Sequence, residues 1–120
     1  MICISSGQSQ AIIHESEGDP VKLTSLDSEF PHERIDVLKI DVEGAEEKVL
    51  QGAEVILASK TRRPQSIFIE VHPYNWKVFQ TTADTLVGRL TKHGYQLRKL
   101  DGHLLEKIDF YGEILAEIPK

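Results

Sequence analysis

The chain has 120 residues, 28% charged and 40% apolar, and its 19 acidic and 14 basic side chains give a formal net charge of −5. That length makes at most one globular unit, which removes roughly 65% of its unfolded surface from water. An acidic balance argues against a nucleic-acid binder or a protein drawn to an anionic membrane, since both need a basic face.

The one cysteine, Cys3, excludes an internal disulfide and a Cys-rich zinc module. Nothing calls for an oxidising compartment, so the expected location is cytoplasmic. Met1 to Gln10 has no basic start and only a three-residue apolar run, which is no secretory signal. No apolar run approaches the ~20 residues that span a bilayer. The basic knots Lys60-Thr61-Arg62-Arg63 and Arg98-Lys99 read as solvated loops or strand edges.

Residues 1–34 are weakly specified. Ile2-Cys3-Ile4, Ala11-Ile12-Ile13 and Val21-Lys22-Leu23-Thr24 each suit a short strand among Ser, Gly and Pro. From Ile35 the pattern sharpens. Ile35 to Asp41 is β-branched and largely apolar, a strand. Gly44 to Lys60 changes period, with Ala45, Val49, Ala53, Ile56 and Leu57 on one helical face and Glu46, Glu47, Lys48 and Glu54 opposite. Gly52 inside that run predicts a break.

Ser66 to Val71 is nearly continuous apolar sequence, as in a parallel strand covered on both faces. Thr82 to His93 carries the helical stripe Ala83, Leu86, Val87 and Leu90, with Thr81 or Thr82 as cap and Gly94 as left-handed stop. Tyr95 to Leu100 is a strand. Asp101-Gly102 then turns the chain, and His103 to Ile108 is its expected hairpin partner. Tyr111 to Ile118 is a last strand. Residues 35–120 thus read as a βαβαββ core, half of a doubly wound α/β sheet.

In such a sheet ligands bind beyond the carboxyl ends of the strands. Two turns lie there, Asp41-Val42-Glu43-Gly44 and Glu70-Val71-His72-Pro73. Adjacent strands would put their carboxylates and one imidazole on a shared rim, able to position a substrate hydroxyl or take its proton, with His72 a candidate base. A plainer reading stands beside this one. Asp41 caps the next helix, Glu43 favours its positive end, Gly44 relieves crowding and His72 is a polar loop residue. The Asp41, Glu43 and His72 trio is also of a type that holds a divalent ion or serves a metal-dependent hydrolase. It matches no known ligand spacing, and no metal is assigned. Tyr74, Trp76 and Phe79 either line a pocket or pack on the sheet edge.

The run Ile35-Asp36-Val37-Leu38-Lys39-Ile40-Asp41-Val42-Glu43-Gly44-Ala45-Glu46, continued by Val49-Leu50-Gln51-Gly52-Ala53, resembles the signature of the FkbM-type methyltransferases. Leu26-Asp27 upstream, Ile67 to His72, Gly94-Tyr95 and Gly112 to Ala116 fit the same family. The resemblance implies a partial class I methyltransferase fold, a Rossmann-like three-layer sandwich of parallel strands with an antiparallel C-terminal hairpin. It implies methyl transfer from S-adenosylmethionine (SAM) to an oxygen of a small-molecule or sugar acceptor. It places Asp41, Glu43, Glu70 and His72 at the chemistry, with Asp41 and Gly44 also against the cofactor.

The family's Gly-rich loop, which holds the cofactor's methionine end, has no counterpart in this sequence. A single truncated domain over residues 1–120 is therefore expected, with little or no SAM binding, and no activity, by the chain alone. A non-catalytic half-domain acting as a binding or assembly module is the alternative. Strand 35–41 would then be a sheet edge, open to self-association or covered by residues 1–24.

Overall fold

The computed structural model describes residues 2–3, 23–105 and 107–120. At the start, β1 (Ile2–Cys3) pairs antiparallel with β2 (Leu23–Thr24) in a small sheet of their own. The strand expected at 11–13 lies outside the described residues. Helix α1 (Leu26–Glu29) follows, capped by the Ser25 hydroxyl, which accepts from the Ser28 N–H.

The main sheet begins with β3 (Val37–Ile40) and continues after α2 (Glu46–Gln51) and α3 (Glu54–Ala58) with the parallel strand β4 (Ser66–Val71). The break between α2 and α3 falls at Gly52, where the sequence places it. A 3-10 helix (Pro73–Phe79), α4 (Ala83–Thr91), β5 (Gln96–Lys99) and β6 (Gly112–Glu117) complete the chain. Thr82 caps α4 through a reciprocal box with Thr85, and Gly94 takes φ +91° just past its end.

The strand order is β3-β4-β6-β5. Strand β6 runs antiparallel to both its neighbours and separates β4 from β5, so β3, β4 and β5 share one direction. The hairpin partner expected at 103–108 forms only the Arg98–Leu104 bridge, whose two bonds run from the Lys99 N–H to the His103 carbonyl and from the Leu105 N–H to the Leu97 carbonyl. Leu104 is 57% exposed, while Leu105 and Ile108 turn toward the core, so the return leaves the strand's path after one bridge.

Register assigns the two faces of the sheet. Leu38, Ile40, Ile67, Ile69, Ile114, Ala116 and Leu97 share one side, because paired residues point the same way. Against it pack Val49, Leu50, Ala53, Leu57, Leu86 and Leu90 of the helical segments. The opposite side, with Phe68, Leu115, Gln96 and Arg98, contributes no buried core residue. Strand β4 is therefore covered on one face among the described residues, not on both as its apolar run predicts. The third layer expected of the sandwich is not seen there.

Among the described residues the free edge of β3 pairs with no strand. None of their helices is long and apolar enough to cross a membrane. The basic knots are less solvated than expected. Arg62 donates to the Phe30 and Glu33 carbonyls, Arg63 to the His93 carbonyl, and Arg98 pairs with Glu117. Each arginine ties a loop or strand to its neighbour.

Candidate functional site

The parallel pairing of β3 with β4 brings the ends of both strands to one rim. After Ile40 the chain turns sharply, with Glu43 at φ +53° and Gly44 at φ +111°. A left-handed glutamate is uncommon and costs roughly 1 kcal/mol. Its surroundings hold it there: Asn75 donates Nδ2–H to the Glu43 carbonyl, and the Tyr74 hydroxyl donates to Glu43 Oε2 at 2.9 Å. A Cβ at Gly44 would lie 2.8 Å from Asn75 Cβ. The close approach that this glycine permits is thus to Asn75, which fills the space next to it.

Beyond β4 the strand ends at Val71, and His72 begins the 3-10 helix fully buried. Its Nδ1 lies 2.6 Å from Glu46 Oε1. The same Glu46 oxygen accepts the Gly44 N–H at 2.9 Å, and Oε2 accepts Trp76 Nε1–H at 2.7 Å. An acceptor on that side sets the tautomer, so Nδ1 carries the proton. Nε2 faces the rim, 3.6 Å from Glu43 Oε1, 3.6 Å from Glu70 Oε1 and 3.8 Å from Asp41 Oδ1. It is buried and has no hydrogen-bond partner among the described residues. The Tyr74 and Tyr111 rings meet the imidazole edge-on at 5.9 and 5.2 Å.

The carboxylates do not behave alike. Burial pushes the Asp41 carboxyl up, and the charge of Glu70 and a hydrogen bond shared with it add to the rise. Glu70 is held below its ordinary value chiefly because the Tyr111 hydroxyl donates to it, which outweighs its own burial. That same bond pushes the Tyr111 phenol up to about 12. Tyr74 rises for the equivalent reason, through Glu43.

All four residues expected at the chemistry thus meet. Asp41 faces this cluster and not the start of α2, whose N-cap Ala45 offers no side-chain bond. His72 is a buried group and not a polar loop residue. Trp76 is buried while Tyr74 stands 70% exposed, so the aromatic cluster splits between core and rim.

The sequence reading missed Glu46. Helical periodicity puts it and Glu47 on the solvent side, yet both are buried. Glu47 accepts from Thr85 Oγ1 and Arg89, and Glu54 from Arg89 and His93, forming a polar seam between α2, α3 and α4. The signal that could have found Glu46 is its place directly after the Asp41-Val42-Glu43-Gly44-Ala45 turn, within reach of whatever follows β4.

A mixed α/β sheet with an acidic, imidazole-bearing rim at its strand ends accords with a methyltransferase-like fold. The Methyltransferase FkbM domain model matches residues 3–97. The chain belongs to the FkbM methyltransferase domain family. It is also similar to the AMB antimetabolite synthetase AmbE of Pseudomonas aeruginosa, 37% identical over 90 residues. Those residues are 75% of this chain and 4% of that protein, so the chain spans a small part of the relative's length. No solved structure matches.

Proposed function

We propose that this protein acts in methyl transfer from SAM to an oxygen of a small-molecule or sugar acceptor. One observation carries the reading: in a chain of this family, Asp41, Glu43 and Glu70 gather around the buried His72 nitrogen at the ends of two parallel strands. The name of the partial relative, an antimetabolite synthetase, accords with a small-molecule acceptor.

The residues present fit the charged end of the cofactor. SAM supplies a methyl group on a positively charged sulfur, and carboxylates stabilise positive charge beside them. That the Asp41 side chain is 35% exposed supports it as the carboxylate that meets this charge. Beside Gly44 the space that a side chain would take is filled by Asn75. The same rim receives an acceptor hydroxyl: Asp41 and Glu70 accept its hydrogen bond and orient its oxygen, Asp41 takes the hydroxyl proton as the oxygen gains the methyl group, and the Tyr111 hydroxyl keeps Glu70 in position.

The test supplies methyl-labelled SAM with a panel of sugars and small alcohols and reads the label by mass spectrometry. In a form of the protein long enough to bind SAM, label on oxygen is expected, with Asp41→Asn lowering kcat by about a hundredfold while KM moves less. Label on nitrogen or carbon alone, or an unchanged kcat in the variant, would overturn the reading.

A further inference from the structure

Three ligand atoms, from Asp41, Glu43 and His72, lie within 4.8 Å of one another, and the imidazole nitrogen among them is buried with no partner. A bare lone pair facing acidic oxygens in a buried site is unfavourable. A proton on Nε2 would pair by charge with these carboxylates but would still lack a hydrogen-bond acceptor, because the oxygens lie at 3.6 to 3.8 Å. A cation set among these atoms satisfies all of them together.

We infer that Asp41, Glu43 and His72 form a binding site for one divalent transition-metal cation. Ligands about 2.1 Å from a common ion sit about 3.4 Å apart in a tetrahedral arrangement. The two separations that include Nε2, 3.6 and 3.8 Å, are within a few tenths of an ångström of this, and the Asp41 and Glu43 oxygens, within 4.8 Å of each other, close the remainder, about 1.4 Å at most, by side-chain rotation. Two carboxylates and one imidazole suit Mn²⁺, Fe²⁺ or Zn²⁺ better than Ca²⁺ or Mg²⁺, which favour oxygen alone.

The supporting bonds also suit a metal centre. Glu46 holds the far nitrogen of His72 and so aims Nε2. Tyr74 holds Glu43 Oε2, which leaves Oε1 for the ion. Three protein ligands leave open positions, as in metal sites that bind substrate oxygen. The inference extends the reading of this rim as the acceptor site, and the ion would hold the acceptor's oxygen there.

Chelator-treated protein titrated with MnCl₂ alone, without SAM or acceptor, tests the site independently of methyl transfer. The electron paramagnetic resonance signal of free Mn²⁺ should fall until one ion is bound per chain, and ZnCl₂ should displace it. Glu43→Gln, close in shape and still bonded to Tyr74, should weaken binding at least about tenfold. Asp41→Asn should do the same while leaving the melting temperature in chelator equal or higher, since it removes a charge from a crowded group. No saturable binding up to about 1 mM Mn²⁺ would overturn the inference. So would full affinity in either variant, or a lowered melting temperature in chelator for both.

Discussion

Glu46 and His72 form the hinge of the rim, with Oε1 and Nδ1 2.6 Å apart and both side chains withdrawn from solvent. Glu46 stands in the first turn of α2 and His72 just past β4, so their contact locks the first crossover to the strand it leads into. The same carboxylate takes N–H groups from Gly44 and Trp76, which makes it the common acceptor for three segments.

Replacing Glu46 by Gln should therefore destabilise the fold by about 2 kcal/mol, read as a lowered urea midpoint. The amide keeps one oxygen for Gly44 and His72 but turns an NH₂ toward Trp76 Nε1–H, donor against donor. Trp76→Phe removes that conflict, so it should cost less in the Glu46→Gln background than in the wild type. Equal costs in both backgrounds would show that the two side chains do not interact.

Gly44→Ala should cost more than about 2 kcal/mol, through the positive φ and through a Cβ placed 2.8 Å from Asn75 Cβ. The clash is between β-carbons, so Asn75→Ala should give no rescue and Asn75→Gly a partial one. Melting temperatures of the two double variants decide this. Rescue by Asn75→Ala would place the crowding farther out on the Asn75 side chain.

What the sequence discloses here is what local chemistry controls. Gly52 breaks the helix, Thr82 and Gly94 bound α4, and Asp101-Gly102 turns the chain, because each acts on residues beside it. The meeting of residues 41, 43, 70 and 72 was also legible, since it needs only two parallel strands side by side. Glu46 and Glu47 escaped that reading because their partners are remote. A helical wheel sees an acidic face, and only the arrival of Trp76 from one direction and Arg89 from another turns it inward. The insertion of β6 between β4 and β5 is hidden for the same reason. Turn residues report which segment follows, but the two-sided pairing of β6 depends on both neighbours at once.

Asp27 illustrates a distant cap. Helix α3 starts at Ala53, which has no capping side chain, and the Asp27 carboxylate fills that role, accepting from the Val55 N–H at 2.9 Å and the Ile56 N–H at 3.0 Å. Asp27→Ala should cost about 1 kcal/mol, and Asp27→Asn, with one acceptor oxygen instead of two, about half of that. Chemical denaturation of the pair checks the order. An Asn variant as weak as the Ala variant would mean that charge at the helix start, and not the hydrogen bonds, is what Asp27 supplies.

Tyr95 ties the start of β5 to the turn before β4, its buried hydroxyl donating to the Pro64 carbonyl at 2.6 Å. Burial pushes the phenol from 10 up to about 12. An unfolded chain releases this proton near pH 10 and the folded chain only near pH 12, so the folded state binds more protons between those values. The stabilisation is complete below pH 10 and is lost as pH rises toward 12, by about 2–3 kcal/mol in all. Tyr95→Phe has no such proton. At pH 7 the variant should be less stable by about 1 kcal/mol, having left the Pro64 carbonyl unpaired. The two stabilities should then converge near pH 11 and cross above it, because only the wild type falls through this group. Comparing the variant with the wild type at each pH cancels every other alkaline titration, including that of Tyr111. A difference that stays constant from pH 8 to pH 12 would mean that Tyr95 ionises as readily in the folded chain as in the unfolded one.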